Sequence, residues 1–367
     1  MVYLIPESLF ELFKQEMVSI PIIDPIIKKL LEIPVLNVIV AFIFWKKVFA
    51  VLVAPGLLTI LLILLIIIWL ERKITARVQW RYGPLEISKP IGGVIQPLAD
   101  GIRYLFQEVI VHKDAHRPYF LQFPLLSFIP VLLPILVIPA GAVYAIQTPY
   151  AVPIIVGLIT LIPMVIIALG WASNSRYAYL GVLRETFMYF GYEVAFIIAV
   201  IAMLIMYGTG DAFRITEAQR GIVGAVLNPL ACIVFLVTSA MATSRLPFDI
   251  PEADQEVVFG PFVEYTGIVF GIVMTLAYEK LYLLGLLFSI LFLGGWNGPY
   301  IPPLGDLSGV IWLLIKTVIF MTFLVFLRSV YPRFRVDQAL KLGWSQLLCI
   351  SFIALGLAIV VKVGGLM

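Results

Sequence analysis

Charge is what this sequence has least of. Asp, Glu, Lys and Arg make up 13% of its 367 residues, about half the share found in soluble domains, while hydrophobic residues make up 62%. Mean hydropathy is +1.06, which excludes an ordinary soluble domain and implies an all-α, polytopic membrane protein. A net charge of +3 is too small to suggest a nucleic-acid partner. Cysteine is nearly absent. Cys232 and Cys349 lie in apolar runs with no Cys or His at ligand spacing, so they are expected to pack as small hydrophobes, without a disulfide or a metal. The two histidines, His112 and His116, stand at i,i+4 in a polar loop but lack a third ligand, so no metal site is expected there. The N-terminus has no basic region followed by a small-residue cleavage site, so no signal peptide is expected.

Long apolar runs are what the chain does have, and eight are expected to span a bilayer: 48–70, 121–144, 151–172, 186–207, 222–242, 262–292, 310–330 and 343–363. The second carries Pro124, Pro130, Pro134 and Pro139 and should be kinked. The sixth would be roughly 45 Å long against a hydrocarbon core of about 30 Å, so it should tilt strongly or break. Loops after the odd-numbered spans hold fifteen of the 25 Arg and Lys, including Arg72, Arg184, Arg245, Arg328, Arg333 and Arg335, whereas loops after the even-numbered spans hold only Arg214 and Arg220. The positive-inside rule puts the first set in the cytoplasm and both termini outside. Residues 1–47 form an extension that is partly interfacial: 8–17 suit an amphipathic helix, and 35–44 are too short to span and end at Trp45-Lys46-Lys47. A single membrane domain covers 48–367. Between spans one and two, Ile91, Val94, Ile95, Leu98, Ile102, Leu105, Phe106 and Val109 mark one face of an amphipathic helix lying along the cytoplasmic side.

Polarity concentrates in 242–264, between the fifth and sixth spans, where Asp249, Glu252, Asp254, Glu256 and Glu264 follow Arg245. Asp249-Ile-Pro-Glu252 has the form of a helix start, with Asp249 as N-cap, Pro251 in the first turn and Glu252 as the reciprocal cap. Glu264 suits the first turn of the sixth span. Asp254 and Glu256 have no such structural use. Glu252 and Glu256 would share a helix face, and crowded like charges raise each other's pKa toward values useful for proton exchange. Within the spans, Glu193 lies two turns from Glu185 with Tyr189 between them, and Lys316 on the seventh span could pair with either acid. Charges at such depth mark either a structural ion pair or a proton path.

Several runs match one family: Glu71-Arg72-Lys73 through Arg81-Tyr-Gly-Pro84, Gln96-Pro-Leu-Ala-Asp100 with Glu108, Ser173-Asn-Ser-Arg-Tyr177, Tyr192-Glu193, and above all Arg245-Leu-Pro-Phe-Asp-Ile-Pro-Glu-Ala-Asp-Gln-Glu256 with Glu264-Tyr-Thr-Gly267. Gly294-Gly-Trp-Asn-Gly298, Lys316-Thr317 and residues 328–338 extend the match. The chain resembles the quinone-chamber membrane subunit of respiratory complex I (the H subunit of the bacterial enzyme, subunit 1 of the mitochondrial one). The resemblance implies a plasma-membrane subunit that joins a hydrophilic electron-transfer arm to proton-pumping membrane subunits. It also implies a quinone that enters between the first span, the amphipathic helix and the sixth span, and is reduced by an iron–sulfur cluster in a neighbouring subunit. Glu71, Arg72, Arg245, Asp249, Arg328, Arg333 and Arg335 resemble residues of the chamber and its docking surface. Glu193, Glu252, Asp254, Glu256, Glu264 and Lys316 resemble the coupling path. No flavin, iron–sulfur or metal motif is present in this chain. The family's usual Glu is Ala242 here, an acid of the sixth helix falls on Ala277 with Glu279 two residues on, Asp254 replaces a common Glu, and the leader is long.

Two other functions fit the membrane acids. A homologous subunit of an energy-converting hydrogenase or ferredoxin-linked complex would couple to ions without a quinone; the Gly-Gly-Trp-Asn-Gly segment and the amphipathic helix favour quinone. A stand-alone cation transporter would not need such large cytoplasmic loops.

Overall fold

The computed structural model describes residues 13–364 apart from 32, 34 and 35, so the helix expected over 8–17 lies largely outside the described residues. No strand occurs among them. Seven helices are long and apolar enough to cross a membrane, and the fifth expected span is a shorter apolar helix. The fold is an all-α, multi-pass membrane bundle.

Helices α1 (Asp24–Leu31) and α2 (Leu36–Phe44) form a hairpin in the N-terminal extension. The tail is fastened to the bundle: the Ser19 N–H donates to Asp306 at 3.1 Å and Lys46 pairs with the same carboxylate at 3.4 Å. The first span is broken into α3 (Lys46–Leu52) and α4 (Leu57–Val78) around Pro55. Proline cannot donate to the helical ladder, so the helix breaks here, and the Pro55 carbonyl, which lies in the break, accepts from the Tyr282 hydroxyl at 2.7 Å. The amphipathic segment forms α5 (Gln96–Phe106), with Leu98, Ile102, Leu105 and Phe106 all exposed. It rests on the sixth span through Tyr104, whose ring meets Phe270 edge-on at 5.7 Å.

The prolines of the second span act as expected: α6 (Arg117–Leu126) gives way to a short helix, Phe128–Leu132, and then a tighter turn, Leu133–Val137. The third span is α7 (Ala151–Ile159) and α8 (Leu161–Ser173), and the fourth is the long α9 (Arg176–Tyr207). The fifth, α10, runs only from Pro229 to Ala242, a helix of 14 residues or about 21 Å. Asn228 makes it start later than hydropathy suggests, since its side chain accepts from Ala231 N–H at 3.1 Å as the N-cap and donates to the Ala354 carbonyl at 3.0 Å.

After the polar loop and α11 (Asp254–Val257), the sixth span, α12 (Gly267–Phe292), is one unbroken helix of 26 residues. It starts later than the hydrophobic run does, which removes the expected excess of length. Gly267 has φ +61°, and a Cβ there would stand 2.8 Å from the Gln107 carbonyl, so the chain turns at this point. Residues 281–292 of α12 are all buried, making this half-helix the hub of the bundle. Helix α13 (Leu307–Val330) packs between α12 and α4, and α14 (Leu348–Val363) packs on α9 and α10.

Candidate functional site

Arg245 is held by the turn that follows α10 and is only 4% exposed. Its guanidinium donates to Glu71 of α4 at 2.5 Å and lies over the Tyr278 ring of α12 at 4.8 Å. Arg328, near the end of α13, pairs with the other oxygen of Glu71. One carboxylate thus serves two guanidiniums, and the knot keeps a surplus of positive charge. Burial lowers the Arg245 pKa, opposed by Tyr278 and Glu252. Its Nε and the Asp249 Oδ1 are buried with no hydrogen-bond partner. Among the described residues this donor and acceptor have no partner, and both residues line a cavity, which fits a ligand with polar head atoms.

Two cavities meet at this knot. One of about 1000 Å³ is lined by Glu71, Arg72, Tyr82, Gln96, Arg328 and Tyr331 among others. A second of about 100 Å³ is lined by Arg245, Asp249, Glu252, Asp254, Ala277 and Tyr278, and Arg328 borders both. Arg72 sits at the larger one, paired with Asp100 of α5 at 2.6 Å.

The acidic loop is arranged differently from its sequence pattern. No helix starts at Asp249; α11 starts at Asp254, so Asp249 and Glu252 are not caps, and Glu252 does not share a helix face with Glu256. Glu256 is exposed and bridges Arg184 of α9 and Arg333, the latter at 3.4 Å. The hydrogen bond from Arg184 holds its carboxyl below the ordinary range. Glu252 is half-buried in the smaller cavity. Burial, then the nearby Asp249 and Glu185 carboxylates, push it up to about 8 against the pull of Arg245. Burial also raises Asp249, opposed by Arg333 at 3.9 Å. Of these two loop acids, Glu252 is the one raised toward neutrality and Glu256 the one held low.

Deeper in the bundle, Glu185 and Glu193 are buried on α9, and the Ser244 hydroxyl lies 3.3 Å from Glu185. Their cation is Lys280 of α12, which is buried, lies within electrostatic reach of Glu185, Glu193 and Glu252, and donates to the Tyr192 hydroxyl at 3.2 Å. Glu193 Oε1 has no hydrogen-bond partner. The expected pairing of Lys316 with these acids does not occur: its ammonium donates to the carbonyls of Leu293, Gly295 and Asn297, each at 2.8 Å. Glu264 precedes α12 and stands 4.0 Å from His112 Nδ1, outside the first turn where its sequence position suggests it. Arg335 pairs locally with Asp337 on the surface. Ala242 is buried in the core. Ala277 faces the smaller cavity, whereas Glu279, two residues or about 200° around the helix, is buried elsewhere and does not replace the missing acid. Lys280 and Arg184 escape the sequence pattern because each adjoins an acid in the chain, which suggests a local pair; adjacent helical residues point apart.

Residues 49–359 match the NADH dehydrogenase family. The chain is 36% identical over 299 residues to the H subunit of NADH-quinone oxidoreductase from Syntrophotalea carbinolica, covering 79% of this chain and 88% of that one. It is 35% identical over 350 residues to the same subunit from Thermomicrobium roseum, covering 88% and 98%. The chain belongs to the NADH dehydrogenase family. It is a complex I-like membrane subunit, part of an oxidoreductase assembly rather than an enzyme alone. Among solved structures it resembles a chain of the membrane-bound sulfane sulfur reductase, an archaeal respiratory membrane complex, with a TM-score of 0.72 and 27% identity over 82% of this chain and 97% of that one.

Proposed function

We propose that this subunit forms a quinone chamber and couples quinone reduction to proton movement. The carrying observation is the continuity of the site: Arg328 borders both cavities, and Glu252 in the smaller one lies within electrostatic reach of the Glu185–Lys280 group. A quinone head in the larger cavity would meet Arg328, which borders both cavities, with the Arg245 guanidinium behind it on the shared Glu71 carboxylate and facing the smaller cavity. Electrons come from a neighbouring subunit; this chain's residues bind, orient and exchange protons. Glu252 gives or takes the proton at the cavity, and Glu185, Lys280 and Glu193 carry the charge change inward. Arg72, Arg333 and Arg335 form the basic docking surface for the electron-transfer arm. The cavity end faces the cytoplasm of a plasma membrane, as the distribution of Arg and Lys supports.

A second reading has one observation in its favour. The likeness to a chain of a complex named for sulfane sulfur and not for quinone favours the alternative of a homologous subunit, in a ferredoxin-linked or hydrogenase-like assembly, that couples to ions without a quinone. Both are tested in the assembled complex: Glu193→Gln should leave quinone reduction measurable while lowering proton pumping. An assembled wild-type complex that neither binds nor reduces quinone would favour the second reading.

A further inference from the structure

The end of the bundle opposite the cavities is closed by polar groups whose bonding capacity is used up. An ammonium has three hydrogens, and Lys316 gives all three to the carbonyls of Leu293, Gly295 and Asn297 at 2.8 Å each. These carbonyls belong to the turn where α12 ends, and the last carbonyls of a helix lack partners within it. The Gln219 side chain locks the same turn from the other side. Its amide donates to the Ile290 carbonyl at 2.7 Å, and its oxygen accepts from Gly294 N–H at 2.9 Å and Gly224 N–H at 3.0 Å. Asn297 donates to the Thr216 carbonyl at 2.6 Å. Gly295 has φ +46°, and a Cβ there would lie 2.8 Å from Thr216 Oγ1, so the two loops touch without a gap. Trp296 covers the turn, its ring 4.9 Å from Phe213.

We propose that Lys316 is a positioning residue that clamps this two-loop plug and seals the bundle against proton leak, and that it carries no proton in coupling. A relay group must release one partner to accept another. Here release would free three part-buried carbonyls and remove a fixed positive charge, which itself repels cations from the outer mouth. All three acceptors of the ammonium are backbone carbonyls, which do not take up a proton near neutral pH.

This role presupposes the proton path proposed above, but its test needs no turnover. The assembled complex carrying Lys316→Met is reconstituted in liposomes, and the decay of an imposed pH gradient is followed without electron donor. The variant should leak roughly tenfold faster than wild type, the factor given by about 1.4 kcal/mol off the barrier. Electron transfer measured with an uncoupler should be kept. A Ser289→Cys reporter, buried against Thr317, should react with a membrane-impermeant maleimide only when combined with Lys316→Met, above the background of Cys232 and Cys349. If Lys316→Met fails to assemble, Asn297→Ala removes one plug contact and keeps the ammonium; it should still raise the leak, whereas a relay role for Lys316 predicts no change. An unchanged leak, whether or not pumping is lost, overturns the seal. A leak in a complex that turns out to use no quinone would keep the seal and discard only the quinone.

Discussion

At the cavity end, Arg245 Nε and Asp249 Oδ1 are buried without partners and one carboxylate is shared by two arginines, whereas at the opposite end Lys316 and Gln219 spend their hydrogen bonds on backbone groups. Both ends set polar side chains into an apolar bundle. The difference lies in what the polar atoms face. Groups left short of partners beside a cavity can accept a ligand or a proton; groups saturated by amides can only hold shape. The same contrast recurs within the acidic loop, between Glu252 in the cavity and Glu256 in a surface ion bridge.

The largest effect that would break this contrast belongs to Arg245. Arg245→Ala leaves Glu71 with Arg328 alone and strips the buried cation from the knot, a change on the order of 3–5 kcal/mol for a buried pair. Quinone turnover in the assembled complex should fall by two orders of magnitude or so, and unchanged turnover would remove Arg245 from the chamber. Glu252→Gln comes next: proton pumping should drop severalfold while electron transfer with an uncoupler persists. Its pH behaviour has a definite sign. Between the ordinary carboxylate value and about 8, the folded chain holds a proton at Glu252 that the unfolded chain has lost, so this group's contribution to stability declines as pH rises through that window. Thermal melts of Glu252→Gln should lose that decline. The smallest effect belongs to Glu256→Gln, which breaks an exposed bridge worth about 0–1 kcal/mol. Because the Glu256 carboxyl is held low, its stabilising contribution exists above the ordinary value and fades only as pH falls through its own pKa. Pumping by this variant should stay near wild type.

Much of the fold was legible because hydropathy and helix length are properties of the chain itself. The proline-broken second span and the amphipathic α5 follow from pattern alone. The ends of α10 and α12 did not, because Asn228 bonding to Ala354 and Gly267 turning under Gln107 are long-range contacts. The residues around the two cavities stand out in the sequence, Lys280 and Arg184 do not, and the different surroundings of the loop acids were not legible. Glu252 and Glu256 look alike at i,i+4 only if one helix contains both, and the cations that separate them, Arg184 and Arg333, arrive from distant parts of the chain. Lys316 and Lys280 are hard to read for a similar reason: Lys316 stands alone in an apolar run, Lys280 stands beside Glu279, and only packing shows that one meets carbonyls and the other meets acids of another helix.

Carboxyl-stretch infrared spectroscopy of the assembled complex across neutral pH tests the central claim most directly. A protonated carboxylic acid band should titrate near pH 8, vanish in Glu252→Gln and persist in Glu256→Gln. A band that survives Glu252→Gln and disappears in Glu256→Gln would contradict the account.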